Sequence, residues 1–127
     1  MRIYIPVHRA ELAEFHNEKK ITTSKVFAPT KNIAASYGVT DDEEVEYAAL
    51  EIAREVAETS QCQIILALEI SEKLLLGGEE LEPGALNGEF VFTWQDVEAL
   101  YLVTGAEEEL EWYDVTETQL CLSKITG

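Results

Sequence analysis

The stretch "QCQIILALEI", residues 61–70, constrains the fold more than any other part of the chain. On an extended backbone Cys62, Ile64, Leu66, Leu68 and Ile70 share one side, and Ile65 and Ala67 take the other. A strand with one wet face alternates apolar and polar residues. Apolar side chains on both sides imply a central strand covered from both faces. The rest of the chain must therefore supply two covering layers. At 127 residues and 46% hydrophobic content, one domain is expected, burying roughly two-thirds of its unfolded surface.

The covering layers are sought in helical periodicity. In "TDDEEVEYAALEIAREVAETS", residues 40–60, Val45, Ala48, Ala49, Ile52, Ala53 and Val56 make an apolar face at helical spacing. Thr40 with Glu43 matches a capping box, and Asp41, Asp42, Glu43 and Glu44 suit the positive end of a helix dipole. The acid cluster thus has a structural role. It lacks the central Gly and alternating Asp/Asn pattern of a calcium loop. A short helix is predicted over "RAELAEFHNEKK", with Leu12 and Phe15 inward and Lys19 and Lys20 at its negative end. Thr30 is placed as N-cap of a third helix, "KNIAASYG", stopped by Gly38.

Strands are predicted over "RIYIPV", "SKVFAP", residues 89–93 and residues 97–103. Pro6 lacks a ladder donor and suggests a strand end or an edge. The segment at 97–103 is also compatible with a helix started by Thr93, but its Leu100–Val103 run favours a strand. "SEKLLLGGEELEPGALNGE" reads as turns with a short strand at Leu74–Leu76. Thr104 with Glu107 resembles a helix start, and "LEWYDV" and "LCLSKI" are expected to form one or two closing strands. The fold class is α+β: a single acidic domain, residues 1–127, with a mixed, mainly antiparallel sheet and about three helices in the N-terminal half.

Charge narrows the partners. Nine Lys+Arg against 25 Asp+Glu give a net charge of −16. Such a surface disfavours direct nucleic-acid binding, which runs on neutralising phosphates, and disfavours anionic membranes for the same reason. A basic protein partner or mimicry of a nucleic acid is compatible with it, as is a plain role in solubility. "MRIYIPVH" is too brief for a signal-peptide core, and no apolar run approaches the ~20 residues of a membrane span. Cys62 and Cys121 lie in apolar stretches without CxxC spacing, so buried free thiols and a cytoplasmic location are expected.

Motifs of chemistry are sparse. "LLLGGEELEPGALNG" has neither GxxxxGK[ST] nor GxGxxG spacing, and GxSxG does not occur. His8 and His16 are eight apart, two helical turns, too far for a compact metal pair, and are expected at the surface. Neither cysteine has a histidine near it in sequence. No metal and no cofactor are expected. The remaining cluster is aromatic: Phe90, Phe92, Trp94, Tyr101, Trp112 and Tyr113. Two readings are open, a sheet face packed on helices or an exposed patch. In the second, Trp94, Tyr101, Trp112 and Tyr113 are the candidate binding residues for a basic protein.

"MRIYIPV", "FAPT…SYG…DDEEVEYAAL" and "ELEWYDVTE" together resemble an uncharacterised family of small acidic actinobacterial proteins. That resemblance implies a cytoplasmic bacterial protein and carries no activity. "IYIPV", a helix, "VFAPT" and a helix ending "SYG" are similar to the opening of ADP-ribosyltransferase-like domains, without the His-Gly pair those domains carry on their first strand. This second resemblance implies a small enzyme as the alternative to a non-enzymatic, regulatory protein-binding domain. Self-repulsion among 25 acids generates the first prediction. Moving from low to moderate salt should raise the melting temperature; an unchanged or lower value by calorimetry contradicts it.

Overall fold

The computed structural model describes residues 1–103 and 110–125. Its organising element is β3, Ile64–Glu69, in which Ile64, Ile65, Leu66, Ala67 and Leu68 are all fully buried. β3 pairs with β1, Arg2–Val7, on one side and with β6, Val97–Val103, on the other. The sheet also contains β2, Lys20–Phe27, β4, Glu79–Glu82, β5, Ala85–Thr93, and β7, Leu110–Asp114. The seven strands run in the order β4-β5-β2-β1-β3-β6-β7, every pairing antiparallel.

Both faces are covered, as the double-sided strand requires. One face gathers Ile3, Ile5, Val7, Ile64, Leu66, Leu68, Phe92 and Leu100 under α1, Arg9–Glu18, and α4, Thr118–Ser123. The other gathers Tyr4, Phe27, Ile65, Ala67 and Ala99 under α2, Lys31–Tyr37, and α3, Asp42–Thr59. Small residues at 67 and 99 let α3 lie close, while the branched side chains fill the opposite face. Each fully buried Ile or Leu contributes about 1.5–3 kcal/mol of transfer free energy.

Several expectations need correction. β1 is neither an edge nor ending at Pro6. Met1 O accepts the Ile70 N–H at 2.9 Å, so alternate residues 2, 4 and 6 face β2. The β1–β2 ladder is limited to Tyr4 opposite Phe27, so the missing Pro6 donor falls where the two strands have already parted. α1 stops at Glu18 because Lys19 turns left-handed (φ 60°), and Lys20 already belongs to β2. β5 begins at Ala85 rather than 89, with Gly88 inside it. A Cβ at Gly88 would stand 3.1 Å from Phe90 Cζ, so the Phe90 ring occupies the space a side chain would take.

Leu74 and Leu75 lie in a single 3-10 turn, Glu72–Leu75, not a strand; Ser71 caps it by accepting the Lys73 N–H. "LCLSKI" is not a strand either. Thr118, Cys121, Leu122 and Ile125 repeat at three and four residues; α4 buries Cys121 and Leu122 in the core on the α1 side of the sheet, Ile125 joins them just beyond its end, and Thr118 is buried at its start. The turn before α4 is held by Asp114, which accepts the Thr116 N–H at 3.0 Å. The N-cap of α3 is Asp41, accepting the Glu43 N–H at 2.8 Å, one residue beyond the expected Thr40. The helix start proposed at Thr104–Glu107 lies outside the described residues.

Gly84 turns the chain between β4 and β5 with φ +82°. A Cβ there would come within 2.4 Å of Ile33 Cδ1, and the Gly84 N–H donates to Glu80 Oε2 at 2.7 Å. The same Oε2 accepts from Thr30 Oγ1 at 2.6 Å, and Glu80 Oε1 accepts from Asn32 Nδ2 at 2.9 Å, tying α2 to the hairpin. Gly84→Ala should lower the unfolding free energy by at least about 1 kcal/mol, read as the urea midpoint; an unchanged midpoint contradicts this packing.

Candidate protein-docking face

The candidate site lies at the β6–β7 end of the sheet, on the side that carries α3. α3 packs chiefly on β1 and only marginally on β6. Beyond its reach Tyr101, Val103 and Leu110 are half-buried, and Trp112 is 57% exposed. Tyr101 and Trp112 are direct cross-strand partners, so both side chains leave the sheet on the same face. Tyr101 meets Tyr4 edge to face, with centroids 6.5 Å apart. Arg2 lies beside Tyr101, and its Nη1 donates to Glu98 Oε2 at 3.0 Å. These contacts hold Tyr101 from behind and leave Trp112 as the projecting ring.

The four candidate binding residues do not form one patch. Trp94 and Tyr113 belong to the α1/α4 core, 9% and 6% exposed. Trp94 is packed edge-on by His16, centroids 5.1 Å apart. Tyr113 donates its hydroxyl to Glu111 Oε2 at 3.2 Å, with Lys124 Nζ 5.8 Å from its ring centroid. Phe90 and Phe92 lie in that same core. The packed-sheet reading thus describes 90, 92, 94 and 113, and the surface reading only 101 and 112.

Other groupings have chemical content. His8 Nε2 lies 3.8 Å from Cys62 Sγ, a pair 54 residues apart that sequence proximity could not reveal. Burial, then the Glu11 carboxylate, pushes the Cys62 thiol up, and burial pushes Cys121 up to about 11. Protonated thiols are poor nucleophiles. A cleft of about 340 Å³ opens between Arg2, Asp42, Glu46, Glu69 and Glu72. Within it the Met1 ammonium pairs with Glu69 at 3.0 Å. A wider groove of about 690 Å³ separates α1 from α4. Among the described residues, no three His, Cys, Asp or Glu side chains are grouped to hold a metal ion, and no helix is long and apolar enough to cross a membrane.

The conserved-family model of DUF6912, described as a family of unknown function, matches residues 1–102. The chain belongs to that family. The match covers β1 through nearly all of β6, so the DUF6912 region includes Tyr101 and ends before β7 and Trp112. No curated protein matches the chain. No solved structure matches it either.

The buried hydroxyl of Tyr4 generates a pH prediction. Burial pushes Tyr4 up from 10.0 to about 12, opposed by the neighbouring Arg2, while Cys121 rises from 9.0 to about 11. Both groups hold their protons more tightly when folded. Their contribution is therefore fully present below pH 9 and is lost as pH rises through 11 and 12. The urea midpoint should fall across that window, and Tyr4→Phe should flatten the decline above pH 10. A Tyr4→Phe profile parallel to the wild type contradicts the assignment.

Proposed function

We propose that this DUF6912 member is a non-enzymatic regulatory domain that binds a protein with a basic face, through the surface centred on Trp112 and Tyr101. The observation that carries the reading is a large exposed indole, backed by a held tyrosine, on a chain of net charge −16. Tryptophan and tyrosine supply contact area at small entropic cost and are enriched where binding energy concentrates. Surrounding carboxylates steer a cationic partner and disfavour nucleic acid and anionic membranes. The resemblance of "MRIYIPV" and "ELEWYDVTE" to acidic actinobacterial proteins supports placing this interaction in the cytoplasm of such a bacterium.

The test begins with capture from low-salt lysate, identification of the basic protein retained, and its purification. Titration should give an affinity that falls as salt rises, because exposed charges are screened over ~10 Å at 0.1 M. Trp112→Ala should weaken it by at least about tenfold, or about 1.4 kcal/mol. Recovery of nothing above background, or equal affinity for the variant, rejects the proposal.

A further inference from the structure

Among the described residues no strand pairs with the outer edge of β7, and its parity can be read from the bonds on either side. Val103 donates its N–H to Gln63 O at 2.8 Å, so residues 101 and 103 turn their backbone toward β3. Leu100 and Leu102 consequently face β7, where the register sets them opposite Tyr113 and Glu111. That leaves the N–H and C=O groups of Leu110, Trp112 and Asp114 pointing away from the sheet. Asp114 corroborates the parity, since its outward N–H is taken by Glu117 Oε1 at 3.0 Å. Trp112, in the middle of the strand, has no such cover among the described residues.

The opposite edge of the sheet is different. β4 is four residues long and carries Glu79, Glu80 and Glu82, so it is short and charged along its length. Those are the ordinary devices by which an edge strand avoids pairing. β7 alternates instead. Leu110 and Trp112 lie on one face, and Glu111 and Tyr113 on the other. A strand laid against this edge would find apolar surface opposite positions 110 and 112, and a carboxylate on the reverse side at 111. Asp114 and Glu117 flank the far end.

We propose that the β7 edge receives an extended, basic segment of the partner as an added strand, with apolar residues over Leu110 and Trp112 and lysines or arginines toward Glu111. This deepens the protein-binding reading above and rests on it. Main-chain hydrogen bonds to Trp112 supply the docking geometry, and the alternation of apolar and basic positions supplies the selectivity. Charge decides the occupant. A second copy would bring another net −16 against the same edge, whereas a cationic strand is attracted to it. An arginine or lysine stem can also lie on the indole face.

The probe is a synthetic heptapeptide alternating lysine and valine, titrated into the isotope-labelled full chain and followed by amide NMR. The Trp112 amide should shift downfield and exchange more slowly with solvent, saturably, and less so at high salt. A glutamate–valine peptide should leave it unmoved. Two further peptides carry N-methyl groups on every valine or on every lysine, so that one blocks the edge-facing amides and the other the outward ones. One of the two should lose at least about tenfold in affinity. Trp112→Ala keeps the outward N–H, while Trp112→Pro removes it without breaking a β6 bond, so the proline variant should bind more weakly than the alanine variant.

Equal binding of all three peptides, or no shift at 110–114 at millimolar peptide, overturns the added strand. Sedimentation showing self-association abolished by Trp112→Pro overturns it as well, by making a second copy the occupant. In either case a salt-sensitive partner captured as above, and weakened by Trp112→Ala, would still stand. Failure of that capture with a positive peptide titration would instead remove the cellular partner and leave the edge geometry intact.

Discussion

The burial of β3 on both faces is the constraint on which the remaining architecture depends. Five successive side chains, Ile64 to Leu68, leave no solvent side. The chain must therefore pass helices to both faces of an antiparallel sheet, which hairpin connections alone do not do. It does so by placing α1 between β1 and β2, α2 and α3 between β2 and β3, and α4 after β7. Because β1, β3 and β6 lie next to one another, the N-terminal strand becomes structurally central. The sheet's late end, β6 and β7, is covered well on the α4 side and sparsely on the α3 side. The candidate docking face is the uncovered remainder.

The acids that dominate the composition have identifiable local tasks. Asp41 caps α3, Asp114 holds the turn into α4, and Glu80 joins α2 and its cap to the β4–β5 hairpin with two hydrogen bonds while a third braces the hairpin turn. Glu51 and Glu58 pair with Arg54, whose guanidinium lies 3.2 and 2.9 Å from them. Arg54 is only 7% exposed, and an unpaired buried charge would be strongly destabilising. Carboxylates with such partners are tied to the fold. Those without them add to the negative field around the domain.

The readable parts of the sequence were those where period and composition agreed. β3 and α3 announce themselves, one by apolar residues on both sides and the other by a long amphipathic stripe with acids at its start. Even there the rotation was off: Leu50, Arg54 and Ala57 are buried, while Ile52 and Val56 are only half-covered. Arg54 belongs inside because its two glutamates stand one turn away on either side, a pairing visible in the sequence. "LCLSKI" failed for a different reason. Over six residues, apolar positions at 120, 121, 122 and 125 fit either period, and the deciding factor is an Asp114–Thr116 turn that starts a helix. His8 and Cys62 could not be joined at all, since only the antiparallel β1–β3 ladder brings them together.

The candidate site was legible only in part, and strand geometry says why. Trp112 and Tyr113 are adjacent, and adjacent residues in a strand point to opposite faces. A strand at "LEWYDV" therefore separates the two rings, one outward and one into the core. The register then sets Trp112 opposite Tyr101, a relation of chain topology. An exposed aromatic edge is ordinarily an aggregation hazard. Here each copy carries a net charge of −16, and like charge opposes the approach of two copies edge to edge, most strongly at low salt. In the proposed mode the same charge would oppose pairing with a second copy and favour a cationic strand. On that proposal acidity and the β7 edge are complementary features: the edge offers main-chain hydrogen bonds, and the charge biases which strand would take them.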